Sequence, residues 1–210
     1  MDNILGIRNL SISDEKSLIK KNKSLRIRPK IFSAELTECL ALDCEFVGTG
    51  PDGKDHMLAR VSVVNERGEV ILDTYVKPQR AVIDYRTDIS GIRPELMESG
   101  KDYGYVRETV KVLLHGRILV GHALKNDLLV LNLRHPKHMV RDTSRFNPIA
   151  RRIRSLGTPS LKNLSKIILG EEIQNGIHDS IEDACAAMKI YRIFQDEWEK
   201  SQRKMARRYR

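Results

Sequence analysis

The stretch Leu40-Ala41-Leu42-Asp43-Cys44-Glu45-Phe46 decides the fold. It reads as a buried strand that ends in two carboxylates one residue apart. Successive strand residues alternate faces, so Asp43 and Glu45 project together while Leu42, Cys44 and Phe46 project the other way. Two anions side by side near an apolar core are costly unless a cation or donors satisfy them. By itself the pair is equally compatible with a strand leaving the core, both acids in water.

Outward from this strand, Gly48-Thr49-Gly50-Pro51-Asp52-Gly53 is a loop. Leu58 to Asn65 and Glu69 to Val76 are rich in β-branched residues and flank the turn Glu66-Arg67-Gly68, which predicts a hairpin. A long connection follows over 79–101, of a length that in compact domains is usually functional or disordered. Val106, Val110, Leu113 and Leu114 recur at helical spacing before Gly116. Arg117 to Gly121 is a nearly continuous apolar strand of the kind found in parallel pairs. A helix over Asp127–Leu133, a short strand over Met139–Asp142 and a helix over Ser160–Leu169 come next. The last helix starts after Asp179, with Ile181, Ala184, Ala187, Met188, Tyr191, Phe194 and Trp198 on one face. Hairpin-linked strands followed by β-α-β units predict an α/β, three-layer domain with a mixed sheet.

The 210 residues give room for one full-sized domain plus tails. No apolar run is long enough for a membrane span, so no membrane association is expected, and the N-terminus shows no secretory pattern. Cys39, Cys44 and Cys185 lack zinc-ligand spacing and suit a reducing compartment. The net charge of +9 sits at the ends: residues 1–33 hold eight Lys/Arg against three acids, and 200–210 hold six against none. We therefore expect a basic arm over 1–35, a folded domain over 36–198 and a basic tail over 199–210. Within the domain, 143–170 carries Arg145, Arg151, Arg152, Arg154, Lys162 and Lys166 and no acid. Basic flanks beside a near-neutral body suggest a polyanionic partner, or serve solubility.

Two further acids stand where chain segments gather at strand ends. Asp127 follows the fourth strand at a helix start, where, taken alone, helix capping or the helix dipole is the readier explanation. In His178-Asp179-Ser180-Ile181-Glu182-Asp183, Asp179 suits the N-cap and Glu182 the capping-box position. Asp183 would then face the sheet from the first turn. His178 precedes it by five residues, and imidazole, which titrates near neutral pH, suits proton transfer from water.

The order D-x-E on a strand, D after a later strand, then H-x-x-x-x-D at a final helix resembles the DEDDh 3′→5′ exonucleases, which have a ribonuclease H-like fold. Asp84-Tyr85-Arg86-Thr87, Ser90-Gly91-Ile92-Arg93-Pro94-Glu95 and Gly116 to Leu124 extend the resemblance to the eukaryotic RNA exonuclease 4 group and the interferon-stimulated 20 kDa exonuclease, over roughly 37–198. It implies a mixed five-stranded sheet with its first three strands antiparallel, and two divalent cations, Mg²⁺ or Mn²⁺. Asp43, Glu45 and Asp183 would hold one cation, Asp43 and substrate phosphate the other, and Asp127 would act through water. His178 would be the general base. The implied substrate is single-stranded RNA, with single-stranded DNA as the alternative, cut to nucleoside 5′-monophosphates. The implied setting is ribosomal RNA processing in the nucleus or nucleolus. Phe46, Arg86, His122 and Asn126 would contact substrate. Phe46 stands where the group is expected to carry Met, and is open to reading as a plain core residue. A non-catalytic RNA-binding assembly factor is the alternative from another class.

Overall fold

The computed structural model describes residues 34–154 and 156–208. The basic arm expected over 1–35 lies outside them apart from its last two residues. Glu35 is already tied down, its carbonyl accepting from Asn65 Nδ2 at 3.0 Å.

Five strands form one sheet: β1 Cys39–Thr49, β2 Asp55–Asn65, β3 Val70–Tyr75, β4 Ile118–Gly121 and β5 Val140–Asp142, in the spatial order β3-β2-β1-β4-β5. The pairs β1–β2 and β2–β3 are antiparallel, while β1–β4 and β4–β5 are parallel. This is the mixed ribonuclease H-like sheet expected above. The helices are α1 Thr87–Ser90, α2 Pro94–Glu98, α3 Tyr103–Leu114, α4 Lys125–Val130, α5 Asn147–Arg152, α6 Leu161–Leu164 and α7 Ser180–Arg208.

The alternation of β1 sorts its residues between two cores. Leu40, Leu42 and Cys44 join Val106, Val110, Leu113 and Leu114 of α3 on one face. Cys39 and Ala41 face Ala184, Ala187, Met188, Tyr191 and Trp198 of α7 on the other. Asp43 and Glu45 continue the α7 side. Small alanines in the first turns of α7 let its backbone approach the sheet where those acids project.

Three elements differ from the sequence reading. The helix expected at Asp127–Leu133 runs Lys125–Val130, so Asp127 lies inside its first turn. The helix expected over Ser160–Leu169 is α-helical only to Leu164 and then widens into a π-turn over Ser165–Leu169. The last helix runs on to Arg208 through most of the stretch set apart as a tail. Glu199, in that extension, makes a bidentate pair with the buried Arg141 (2.7 and 2.8 Å). That pair fastens the distal half of α7 to β5.

Candidate active site

The pairing of β1 with β4 stops at Ala41↔Val120, so the β4-side edge of residues 42–46 is open. On the other side Glu45 lies opposite Arg60 and Phe46 opposite Leu58, which leaves Ala59 as the extra residue of a β-bulge. At this open, bulged end lies a cavity of about 400 Å³ lined by Asp43, Glu45, Phe46, Arg86, His122, Gln174, His178 and Asp183, among others. Seven of the nine residues expected at the site therefore meet in one place. Asp127 sits behind the cavity, 4 % exposed, taking hydrogen bonds from the Cys44 thiol and backbone N–H. Asn126 is exposed and does not line the cavity.

The carboxylates crowd one another with little positive charge to offset them. Burial raises the Asp43 carboxyl well above the usual range, and Asp127, Asp183 and Glu45 push it the same way. Burial, then Asp183, raises Glu45 to about 7, with Arg60 opposing. Burial likewise raises Asp127 to about 7. Asp183 is raised by burial, against the Gln174 hydrogen bond and the nearby His178. Gln174 Nε2 donates to Asp183 Oδ2 at 2.7 Å, while the buried Asp183 Oδ1 has no partner among the described residues. A buried carboxylate oxygen without a partner is expensive. An all-oxygen donor set of surplus negative charge fits a hard divalent cation. Among the described residues, no three His, Cys, Asp or Glu side chains stand close enough together to hold an ion unaided. Mg²⁺ ordinarily fills most of its shell with water and phosphate oxygens, so two carboxylates suffice beside them.

His178 lines the cavity with its side chain 34 % exposed and Nδ1 4.0 Å from Asp183 Oδ2. Its backbone N–H donates to the Ile89 carbonyl at 2.7 Å, which ties its loop to α1. Gly91 permits this contact: with φ 66°, it packs where a Cβ would lie 2.7 Å from Ile177. Phe46 meets the His56 ring edge to face at 5.6 Å. The Arg86 guanidinium is committed to the protein, 2.9 Å from His56 Nδ1 and donating to Gly53 O at 3.0 Å. Burial lowers the His122 pKa, and its Nδ1 shares a hydrogen bond with Thr143 Oγ1 at 2.9 Å.

The start of α7 is held by a cross-sheet network that local sequence pattern does not reveal. Arg60 grips Asp73 through Nε and Nη2 (2.7 and 3.1 Å) and reaches Asp179 Oδ1 at 3.1 Å. Asp179 caps the helix by accepting from the Ile181 N–H at 2.9 Å. Ser62 and Ser180 share a buried 2.7 Å hydrogen bond. Glu182 does not close the capping box. Its carboxylate instead accepts from the Gln174 N–H at 3.2 Å, because Gln174 has been brought over the first turn. Arg60 and Gln174 are thus structural partners of the site that residue spacing could not point to. Arg60 is 119 residues from Asp179, and Gln174 lies in an irregular loop.

A model of the exonuclease family matches residues 40–191. RNA exonuclease 4 of Mus musculus is 50% identical over 186 residues, which cover 89% of this chain and 43% of that one. RNA exonuclease 4 of Saccharomyces cerevisiae is 47% identical over 171 residues, 81% of this chain and 59% of that one. The chain thus spans about two to three fifths of the length of these curated relatives. The Neurospora crassa Pan2 catalytic unit (protease and nuclease domain) is similar in structure, with TM-score 0.66 and 28% identity over 84% of this chain and 30% of that one. The Saccharomyces cerevisiae Pan2 pseudoubiquitin hydrolase–RNA exonuclease module in complex with AAGGAA RNA gives TM-score 0.66 and 28% identity over 81% of this chain and 32% of that one.

Proposed function

The chain belongs to the exonuclease family, and from that premise we propose that it is a 3′→5′ exoribonuclease acting on single-stranded RNA. The observation that carries the proposal is the meeting of Asp43, Glu45, His178 and Asp183 around one cavity, with an Asp183 oxygen left unpartnered among the described residues. Asp43, Glu45 and Asp183 would hold the divalent cations, with Asp127 behind them. Two such ions, Mg²⁺ or Mn²⁺, would supply charge stabilisation to the phosphate under attack and to the departing 3′ oxygen.

The protein's own groups do the rest. His178 stands at the cavity with its ring partly in water, placed to accept the proton of the attacking water. A cavity of about 400 Å³ suits a terminal nucleotide and not a duplex. Phe46 offers aromatic surface to its base, and His122 a polar wall. Arg86, already fixed by His56 and Gly53, is pre-organised for a ribose or phosphate contact. RNA as the substrate is supported by the RNA exonuclease 4 relatives and by the Pan2 module's similarity. The exposed Arg151, Arg152 and Arg154, with the terminal basic stretches, would follow the phosphate backbone. The same proposal places the protein in the nucleus, nucleolus included, in ribosomal RNA processing, on the strength of the group it resembles.

The test is incubation of 5′-labelled single-stranded RNA and DNA of equal sequence with Mg²⁺ or Mn²⁺, wild type beside Asp183→Asn. Wild type is expected to shorten RNA from its 3′ end, releasing nucleoside 5′-monophosphates, and the variant to be inert. Equal activity in both, or no mononucleotide release by wild type, would overturn the reading. Faster loss of the DNA would move the substrate assignment to DNA.

A further inference from the structure

Gln174 has φ 54°, a left-handed conformation that a residue with a Cβ keeps only when its surroundings impose it. Here three bonds impose it. The Gln174 N–H donates to Glu182 Oε2 at 3.2 Å, its carbonyl accepts from Lys162 Nζ at 2.8 Å, and Nε2 donates to Asp183 Oδ2 at 2.7 Å. Ile173 next to it is 4 % exposed and anchors the segment in the core. The outcome is a carboxamide set against one oxygen of Asp183 at the cavity.

A neutral donor has a particular consequence there. It halts rotation of the Asp183 carboxylate without neutralising it. Lys or Arg in its place would satisfy the charge and remove the demand for a cation. With Oδ2 taken, Oδ1 is the oxygen left without a partner among the described residues. We propose that Gln174 is a positioning residue for a divalent cation: its carboxamide fixes Asp183 Oδ2 so that Oδ1 is presented to the ion. The inference rests on the metal-dependent nuclease reading above and names the residue that sets one ligand's geometry. Groups that orient metal ligands in this way are worth about 10–100-fold in metal affinity or activity.

The test compares wild type with Gln174→Leu, which keeps the bulk and removes the donor, and Gln174→Gly, which also relieves the left-handed strain. Mn²⁺ is titrated calorimetrically into each protein in the presence of adenosine 5′-monophosphate, and RNA hydrolysis is followed at low and high Mn²⁺. Both variants are expected to bind Mn²⁺ about 10-fold more weakly, with the lost kcat returning as Mn²⁺ is raised and KM for RNA within about twofold. The glycine variant decides the matter should the leucine variant fold poorly. Wild-type Mn²⁺ affinity in Gln174→Gly, or a loss of rate that excess Mn²⁺ does not repair, would overturn the proposal while leaving the nuclease reading intact. A wild type that takes up no Mn²⁺ would overturn both.

Discussion

The two ends of α7 solve the same problem in opposite ways. In its distal half, Arg141 and Glu199 face each other bidentately, Tyr191 Oη donates to Glu199 at 3.1 Å, and Cys39 Sγ lies 3.8 Å from that hydroxyl. Each charge there is answered by another side chain. In its first turn Asp183 joins Asp43, Glu45 and Asp127, with Arg60 opposing the mutual repulsion at Asp43 and Glu45, and a buried Asp183 oxygen has no partner among the described residues. One helix thus carries a completed polar network at one end and an incomplete one at the other. The completed network serves the fold. The incomplete one crowds carboxylates whose charge is met by protons at low pH, or by a bound cation on the reading proposed above.

Substitutions should separate the two ends. Asp183→Asn removes a ligand and a repulsive charge together, so kcat should fall by on the order of 10³-fold or more while the metal-free protein gains stability. A combined loss of activity and stability would show that Asp183 is structural. Glu199→Ala leaves a buried guanidinium unanswered and should cost about 3 kcal/mol of unfolding free energy in urea, with kcat in the remaining folded protein unchanged. A Glu199→Ala protein of wild-type stability would break the contrast.

The ends should also respond to pH with opposite sign. Glu45 and Asp127 are raised to about 7 from an ordinary carboxyl value near ~4. Between those values the folded state binds more protons than the unfolded one, so stability falls as pH rises through the window. The metal-free protein should melt lower at pH 8 than at pH 5, and Mn²⁺ should raise Tm more at pH 8. The Arg141 pair and the Tyr191 hydroxyl lower Glu199 against the burial that raises it, so its stabilisation is present at neutral pH and is lost as pH falls through its depressed value. Glu199→Gln should flatten only this acid limb. The smallest expected effect is on the basic flank. Arg151→Ala with Arg154→Ala should weaken RNA binding a few-fold and reduce its salt slope by about 1–2, with kcat unchanged.

What the sequence showed and concealed follows the range of the interactions. Asp43 and Glu45 were legible because strand alternation and a short apolar run are local signals, and α7 because its apolar stripe repeats every three to four residues. Asp127, His178 and Asp183 gained meaning only from their order along the chain. Arg141–Glu199 and Arg60–Asp179 were hidden because charged pairs 58 and 119 residues apart leave no periodic trace. Charge counting set residues 199–208 aside as a tail, although the fold uses Glu199. α5 had a usable signal in Asn147-Pro148, a proline at a helix start, inside a stretch read only for its arginines. Gln174 had none, since its left-handed turn is imposed by Lys162, Glu182 and Asp183 at once.

The proposed function requires that Asp183 at the first turn of α7, with Asp43 and Glu45 on β1, be completed by divalent cations. Calorimetric titration of Mn²⁺ into metal-free protein with adenosine 5′-monophosphate at pH 8, wild type beside Asp43→Asn, tests it most directly. Wild type is expected to bind Mn²⁺, and Asp43→Asn to lose that uptake while keeping a folded melting transition. Equal uptake by the two proteins, or none by wild type, would contradict it.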